Sequence, residues 1–141
     1  MSAEEHKAII RRWIEVWHSR DVDAVKEYLT PEYVRHDPNV PEVRGPDAEQ
    51  HLMTMYLTAL PDLHFTIEDL IAEGDTVVAR LTAHGTQHGE LFGIPPTHRP
   101  VAVTAVDIFR LVDGKIAEQW VTMDALGLMQ QLGVIPAPAQ T

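Results

Sequence analysis

The sequence predicts an α+β domain: a cone-shaped barrel built from a curved antiparallel sheet, with three N-terminal helices over its concave face. Apolar residues recur every three or four positions as far as Leu60 and every second position after Pro61, so helical segments come first and strands follow. The pair Asp113-Gly114 stands between two alternating apolar runs, which is the strongest short-range signal for a β-hairpin. Three helices laid across a curved sheet cannot fill its hollow, so an apolar cavity with a few polar groups is the expected ligand site.

Between Glu4 and Ser19, the residues Ile9, Ile10, Trp13, Val16 and Trp17 fall on one helical stripe and define the first helix. Asp21 can cap a second, DVDAVKEYL, whose Val22, Val25, Tyr28 and Leu29 turn inward before Pro31 ends it. The stretch YVRHDPNVPEVRG reads as irregular. Pro38 and Pro41 disfavour helix there, placing His36 and Asp37 on a loop or a short edge strand. Pro46 suits the first position of a third helix, GPDAEQHLMTMYLTAL, with Asp47 and Glu49 in the turn where the helix dipole favours acids. Its buried stripe is Leu52, Met55, Tyr56 and Ala59.

Beyond Pro61, LHFTIEDLIAEGDTVVARLTAHG gives two alternating runs joined at Glu73-Gly74-Asp75, and the Gly- and Pro-rich TQHGELFGIPPTHRP forms a loop over one end of the sheet. The second hairpin, DIFRLVDGKIAEQWVTMD, follows. A two-residue turn would set Asp107 against Trp120. A three-residue, bulged turn sets Asp107 against Val121 and Arg110 against Glu118, a favourable charge pair, and is preferred. Asp107, Phe109, Gln119, Val121 and Met123 then share the cavity face. ALGLMQQLG forms a final helical turn or two that Asp124 can cap. A single domain therefore spans 1–135, and 136–141 (PAPAQT) is a flexible tail with nothing to bury.

Composition narrows the function. With 21 acidic against 11 basic residues and a net charge of −10, the chain lacks the electrostatic footprint for phosphate backbones or anionic lipid. Nucleic acid and membrane are not expected partners. The absence of cysteine removes thiolate metal sites and a cysteine nucleophile, and the acidic start MSAEEHK is unlike a signal peptide. A cytoplasmic location is expected. Val106, Ile108 and Trp120 point to the outer sheet face, and apolar residues there predict a homodimer packed sheet to sheet.

Eight histidines are present, of which His6 and His18 lie near the ends of the first helix and read as solvated. His84 and His88 resemble a metal pair, but four residues of extended chain span about 13 Å while zinc needs each nitrogen about 2 Å away, so no metal is expected. No Gly-rich phosphate loop and no GxSxG elbow occurs. Asp107 remains. It sits mid-strand in AVTAVDIFRLV, and an aspartate in an apolar cavity has its charged form disfavoured, which raises its pKa toward the range useful for proton transfer.

Four segments, RRWIEVWHSRDVDAVKEYL, RGPDAEQHL, HGELFGIPPTHRPV and DIFRLVDGKIAEQW, together resemble the SnoaL-like polyketide cyclases, within the wider NTF2-like and ketosteroid-isomerase-like group. The resemblance covers nearly the whole chain. It implies a small conical α+β barrel with an internal cavity, and closure of a polyketide-ester ring by an intramolecular aldol reaction without metal or organic cofactor. The family's acid/base aspartate follows the pattern EHWD. The corresponding stretch here is EQWV, so Val121 holds the aspartate's place and Gln119 the histidine's. The resemblance also places Asp107 where characterised cyclases carry a histidine, so the carboxyl stands on the opposite strand. The expected site therefore has Asp107 as acid/base, Gln119 fixing a carbonyl oxygen, and one of His36, His51 or His84 assisting. Its apolar mould comprises Trp13, Trp17, Leu52, Met55, Phe109, Val121 and Met123, around a small apolar carbonyl compound. The alternatives are a non-catalytic binder of the same fold and an epoxide hydrolase-like enzyme, which would draw its arginine from Arg80 or Arg110.

Overall fold

The computed structural model of the chain describes residues 1–137, so most of the tail expected at 136–141 lies outside the described residues. Helix α1 (Ala3–Ser19) starts at a capping box in which the Ser2 hydroxyl accepts from the Glu5 amide at 3.1 Å and Glu5 accepts from the Ser2 amide at 3.2 Å. It ends at Arg20, whose left-handed φ of 61° stops the helix. The Arg20 guanidinium donates to the carbonyls of Pro61 and Leu63, both at 2.8 Å, tying the helix end to the start of the sheet.

The second helix is shorter than expected. A 3₁₀ turn (Val22–Ala24) leads into α2 (Val25–Tyr28), and the chain is already extended at Leu29. What reads as irregular is strand β1 (Leu29–His36), with Pro31 inside it, followed by the short β2 (Val43–Arg44). Pro31 is accommodated because the β1–β6 register breaks between Leu29 and Val34, leaving no ladder bond for it to supply. Helix α3 (Pro46–Ala59) begins with its proline at the first position, after Gly45 at φ 84°. Its buried residues are Glu49, Leu52, Met53 and Ala59, whereas Met55 is exposed. The stripe is rotated from the expected one, and an acid sits at its head.

Strands β3 (His64–Glu73), β4 (Thr76–Thr86), β5 (Pro100–Val112) and β6 (Lys115–Met123) follow as two hairpins, and α4 (Ala125–Leu132) closes the chain, capped by Asp124, whose carboxylate accepts from the Gly127 amide at 2.9 Å. One curved, unclosed six-stranded sheet results, in the order β2-β1-β6-β5-β4-β3. The architecture is the predicted α+β type with two refinements. The sheet has six strands rather than four, and β1 runs parallel to β6 while every other pairing is antiparallel. Helix α1 packs across β3 and β4, α3 lies against β1 and β2, and α4 covers β5.

The second hairpin combines both turns considered from sequence. Val112 pairs with Lys115 across a two-residue turn, with Asp113 at φ 50° and Gly114 at φ 80°, the doubly left-handed geometry that suits an Asp-Gly pair. The extra residue sits further on. Leu111 pairs with Ile116 but Arg110 pairs with Glu118, so Ala117 is a bulge in β6. That one residue reverses which side chains face inward beyond it. Asp107 therefore opposes Val121, and Gln119 and Val121 point into the fold while Trp120 points out.

Candidate active site

A cavity of about 100 Å³ opens between α1, α3, α4 and the concave face of the sheet. Its walls are mostly apolar: Trp13, Ile14 and Trp17 come from α1, Leu81 and Ala83 from β4, Val101, Val103 and Ala105 from β5, and Leu128 from α4. Leu91 and Phe92, from the loop after β4, close part of it. That loop is tied down by local hydrogen bonds. The fully buried Gln87 side chain donates to the carbonyls of Ile94 and Pro95 and accepts from the Thr97 amide and hydroxyl. The amides of His88 and Gly89 both donate to the last carbonyl of α3, at Ala59.

Arg35 and Asp37, Asp107, and Gln119 bring polar groups in from the β1, β5 and β6 side of the sheet, while Tyr56 comes from α3 and His84 from further along β4. Asp107 is 8% exposed and lines the cavity, with its Oδ2 accepting from Gln119 Nε2 at 2.9 Å. Burial pushes its pKa up to about 6, against the opposing pull of the Arg35 guanidinium and the Gln119 hydrogen bond. Gln119 in turn contacts the Tyr33 hydroxyl at 2.7 Å, and Tyr33 contacts Glu49 at 3.0 Å. Arg35 donates to Glu49 Oε1 at 3.0 Å and lies 3.9 Å from Asp37. Burial raises Tyr33 well above the ordinary phenol value and Tyr56 to about 12, so both hydroxyls stay protonated near neutrality. Arg35 keeps its charge because Glu49 and the neighbouring acids outweigh its desolvation.

The sequence-derived candidates divide between this cavity and other places. Trp13, Trp17, His84, Asp107, Gln119, Val121 and Met123 line it. Phe109 is fully buried in the core on the same sheet face and does not reach the cavity. Leu52 is buried outside the lining, and Met55 and His51 are exposed on α3. His36 lies outside as well. One residue after the inward Arg35, it faces the other side of the sheet, between Glu118 at 2.7 Å and Glu42 at 3.4 Å, and stacks on Trp120. Gln119 spends its amide on Asp107 and Tyr33, so in this arrangement it orients the acid.

The other histidines also have structural partners. His6 is buried with Nδ1 2.9 Å from the Gly74 carbonyl, and His18 accepts from the Phe65 amide at 2.9 Å, so neither is the solvated side chain expected from its place in α1. His84 stacks on His64, while His88 Nδ1 sits 3.0 Å from His98 Nδ1. No group of three metal-ligating side chains comes together among the described residues. Nor is any described helix long and apolar enough to cross a membrane.

Residues 7–132 match the family model of the SnoaL-like polyketide cyclases. The chain belongs to that family. Among curated relatives, this SnoaL-like protein is 32% identical over 131 residues to the aklanonic acid methyl ester cyclase DnrD of Streptomyces peucetius, covering 89% of this chain and 88% of the relative. Among solved structures it resembles TsrD of Streptomyces laurentii, with a TM-score of 0.86 and 32% identity over 96% of this chain and 99% of that one. It also resembles AclR of Streptomyces galilaeus, a hydroxylase candidate, with a TM-score of 0.87 and 31% identity over 99% of this chain and 87% of that one.

Sequence reasoning missed Tyr33, Arg35, Asp37, Glu49 and Tyr56 as site residues of this SnoaL-like chain. The spacing of two in Tyr33-x-Arg35-x-Asp37 was the available signal, since alternate residues of a strand share a face. Because these inward residues are polar, the alternation carried no hydrophobic contrast. Glu49 likewise reads as a dipole-favoured acid in the first turn of α3, although it lies on the inward stripe.

Proposed function

We propose that this SnoaL-like protein is a cofactor-independent acid/base enzyme acting on a small apolar carbonyl compound, closing a ring by an intramolecular aldol or related enolate step. One observation carries the reading: the Asp107 carboxyl stands at the wall of an apolar cavity, held by Gln119, with its acid form favoured up to about pH 6. Near neutrality enough carboxylate exists to accept a proton, and the resulting acid is strong enough to return it. The Asp107 carboxylate takes a proton from the carbon between two carbonyls. The enolate carbon then bonds to a second carbonyl carbon, and the alkoxide formed there takes the proton back. No atom is gained or lost. The Arg35 charge favours the transient enolate over neutral substrate, and the aromatic walls from Trp13 and Trp17 hold the chain folded.

In this reading Asp107 does from β5 what the family's aspartate does from β6, where this chain has Val121. The two positions are cross-strand neighbours on one face, so the carboxyl reaches the same cavity from either strand. The deciding experiment is turnover of a small β-dicarbonyl polyketide ester by Asp107→Asn. A loss of about 10²-fold or more is expected, with ligand binding nearly unchanged. An unchanged rate rejects Asp107 as the acid/base, and no turnover by the native protein, with tight binding retained, identifies a binder instead.

A second reading, hydrolysis of a small epoxide, draws on the position of Arg35. It shares the cavity with Asp37 and Asp107, whereas Arg80 and Arg110 pair outside it with Asp69 and Glu118. Hydration of a cyclic epoxide that Asp107→Asn abolishes, without dicarbonyl turnover, selects this reading. We propose also that the protein is a homodimer joined through the outer sheet face, where Val106 and Trp120 remain 40% and 37% exposed.

A further inference from the structure

The aldol reading uses Asp107 and leaves a buried chain of hydrogen-bonding groups behind it without a task. Three contacts link that chain: Asp107 Oδ2 to the Gln119 amide at 2.9 Å, the other end of that amide to the Tyr33 hydroxyl at 2.7 Å, and the hydroxyl to Glu49 Oε2 at 3.0 Å. Each contact needs one hydrogen between its two heavy atoms. An amide offers hydrogens at one end only, a hydroxyl has a single hydrogen, and an ionised carboxylate has none.

With both carboxylates ionised, no arrangement satisfies all three contacts. If Gln119 turns its NH₂ to Asp107, its oxygen and Glu49 both require the one Tyr33 hydrogen. If the NH₂ turns to Tyr33, the hydroxyl can donate to Glu49, but the amide oxygen then faces the Asp107 carboxylate with nothing between them. One buried oxygen–oxygen contact is left open either way, and such contacts are costly.

Adding one proton closes the chain in two ways. In the first, Glu49 is the acid: it donates to Tyr33, Tyr33 donates to the Gln119 oxygen, and the Gln119 NH₂ donates to ionised Asp107. In the second, Asp107 is the acid: it donates to the Gln119 oxygen, the Gln119 NH₂ donates to Tyr33, and Tyr33 donates to ionised Glu49, which also accepts from Arg35. The two states contain the same atoms and the same charge. They differ by which carboxyl holds the proton, by the direction of the Tyr33 hydroxyl and by a half-turn of the Gln119 amide.

We propose that Asp107 and Glu49 hold one proton between them, exchanged with solvent, and that the orientation of Gln119 and Tyr33 couples the two carboxyls; this makes Glu49 a positioning residue for the protonation state of Asp107. This deepens the acid/base reading of Asp107 and rests on it. Other groups bias the exchange without carrying it. Arg35, from β1, favours the ionised form of Asp107 and pairs with Glu49 at 3.0 Å, and Asp37, just past the end of that strand, opposes ionisation of Asp107. Tyr56 from α3 and His84 from β4 line the same cavity. Burial of Asp107 and the Arg35–Glu49 ion pair together favour the state with the proton on Asp107. When Asp107 releases its proton to solvent, the Gln119 amide turns its NH₂ to the new carboxylate, and one proton taken up from solvent is held by Glu49, so the net charge of the pair is unchanged.

The test is a carboxyl ¹³C NMR titration of the unliganded protein, compared with Tyr33→Phe, which removes the linking hydroxyl without changing charge. In the native protein the Glu49 carboxyl carbon is expected to shift at the pH step where Asp107 titrates. In Tyr33→Phe that response disappears and the Asp107 midpoint moves by about half a pH unit or more. Glu49→Gln provides a second check, because its amide permanently donates to Tyr33 as the acid form of Glu49 would. It should move the Asp107 midpoint to lower pH and the acid limb of the pH–rate profile with it. A Glu49 carbon that stays silent through the Asp107 step, or a Tyr33→Phe titration superposable on the native one, overturns the shared proton. Failure of the parent reading looks different: the titrations behave as described, yet Asp107→Asn turns over substrate at the native rate.

Discussion

Asp107→Asn should make the protein more stable while making it inactive, and the gain should grow with pH. The carboxyl moves from an ordinary value of 3.8 to about 6 on folding because burial penalises its charged form. An acid whose folded pKa is raised binds more protons in the native state, so its contribution is fully present below the unfolded value and lost as pH rises through the folded one. The window therefore runs from 3.8 to about 6. At 1.4 kcal/mol per pKa unit, ionising Asp107 in the folded protein costs about 2 kcal/mol near pH 5 and about 3 kcal/mol near pH 8. Asparagine keeps an oxygen that can accept from Gln119 and cannot ionise. Urea unfolding of native protein and variant near pH 5 and pH 8 should show the variant more stable at both, with about 1 kcal/mol more advantage at the higher pH. A variant less stable near pH 8, or an advantage independent of pH, would refute the reasoning, since either would mean that the carboxylate is stabilised where it stands.

Three further outcomes follow from other parts of the fold. Val121→Asp places a second carboxyl directly across the strand pair from Asp107, and like charges there should move the acid limb of the pH–rate profile up by about one unit or more. An unmoved limb would mean the two side chains do not share the cavity. Trp120→Asp on the outer sheet face should convert a dimer to monomer in sedimentation velocity, and a native protein that already sediments as a monomer removes the proposed interface. Gly89→Ala would set a Cβ 2.8 Å from the Thr58 carbonyl oxygen and 3.1 Å from the Ala59 Cα, so backbone must shift. A loss of about 1–3 kcal/mol in urea unfolding is expected, with weaker binding of an apolar carbonyl ligand as Leu91 and Phe92 move; unchanged stability would show the loop to be adaptable.

Alone, the amino-acid order determined the class of fold, the sequence of helices and hairpins, and the side of the second hairpin on which Asp107 stands. These are local matters: apolar spacing reports which face of a helix or strand is buried, and Asp113-Gly114 suits one turn geometry. The inward direction of Asp107 was legible because apolar neighbours on its own strand share its face. How β6 reaches that register was less so. A two-residue turn followed by a bulge at Ala117 gives the same pairing as a longer turn, and nothing in the local pattern separates them.

Only tertiary structure decided the polar half of the site. Strand β1 is held on one side by β6, distant in sequence, and on the other by β2; its inward residues Tyr33 and Arg35 are buried because Glu49 bonds both, and the Oδ1 of Asp37, just past the strand, accepts from the Asn39 amide. Burial of polar groups through bonding leaves no hydrophobic period to read, so the β1 stretch reads as irregular, a loop or a short edge strand, and Glu49 as an acid favoured by the helix dipole. His36, one residue from Arg35, was carried to the opposite face by the same strand alternation. Apolar patterning determined where the hollow would be; the long-range pairing of β1 with β6 determined which charges stand behind Asp107.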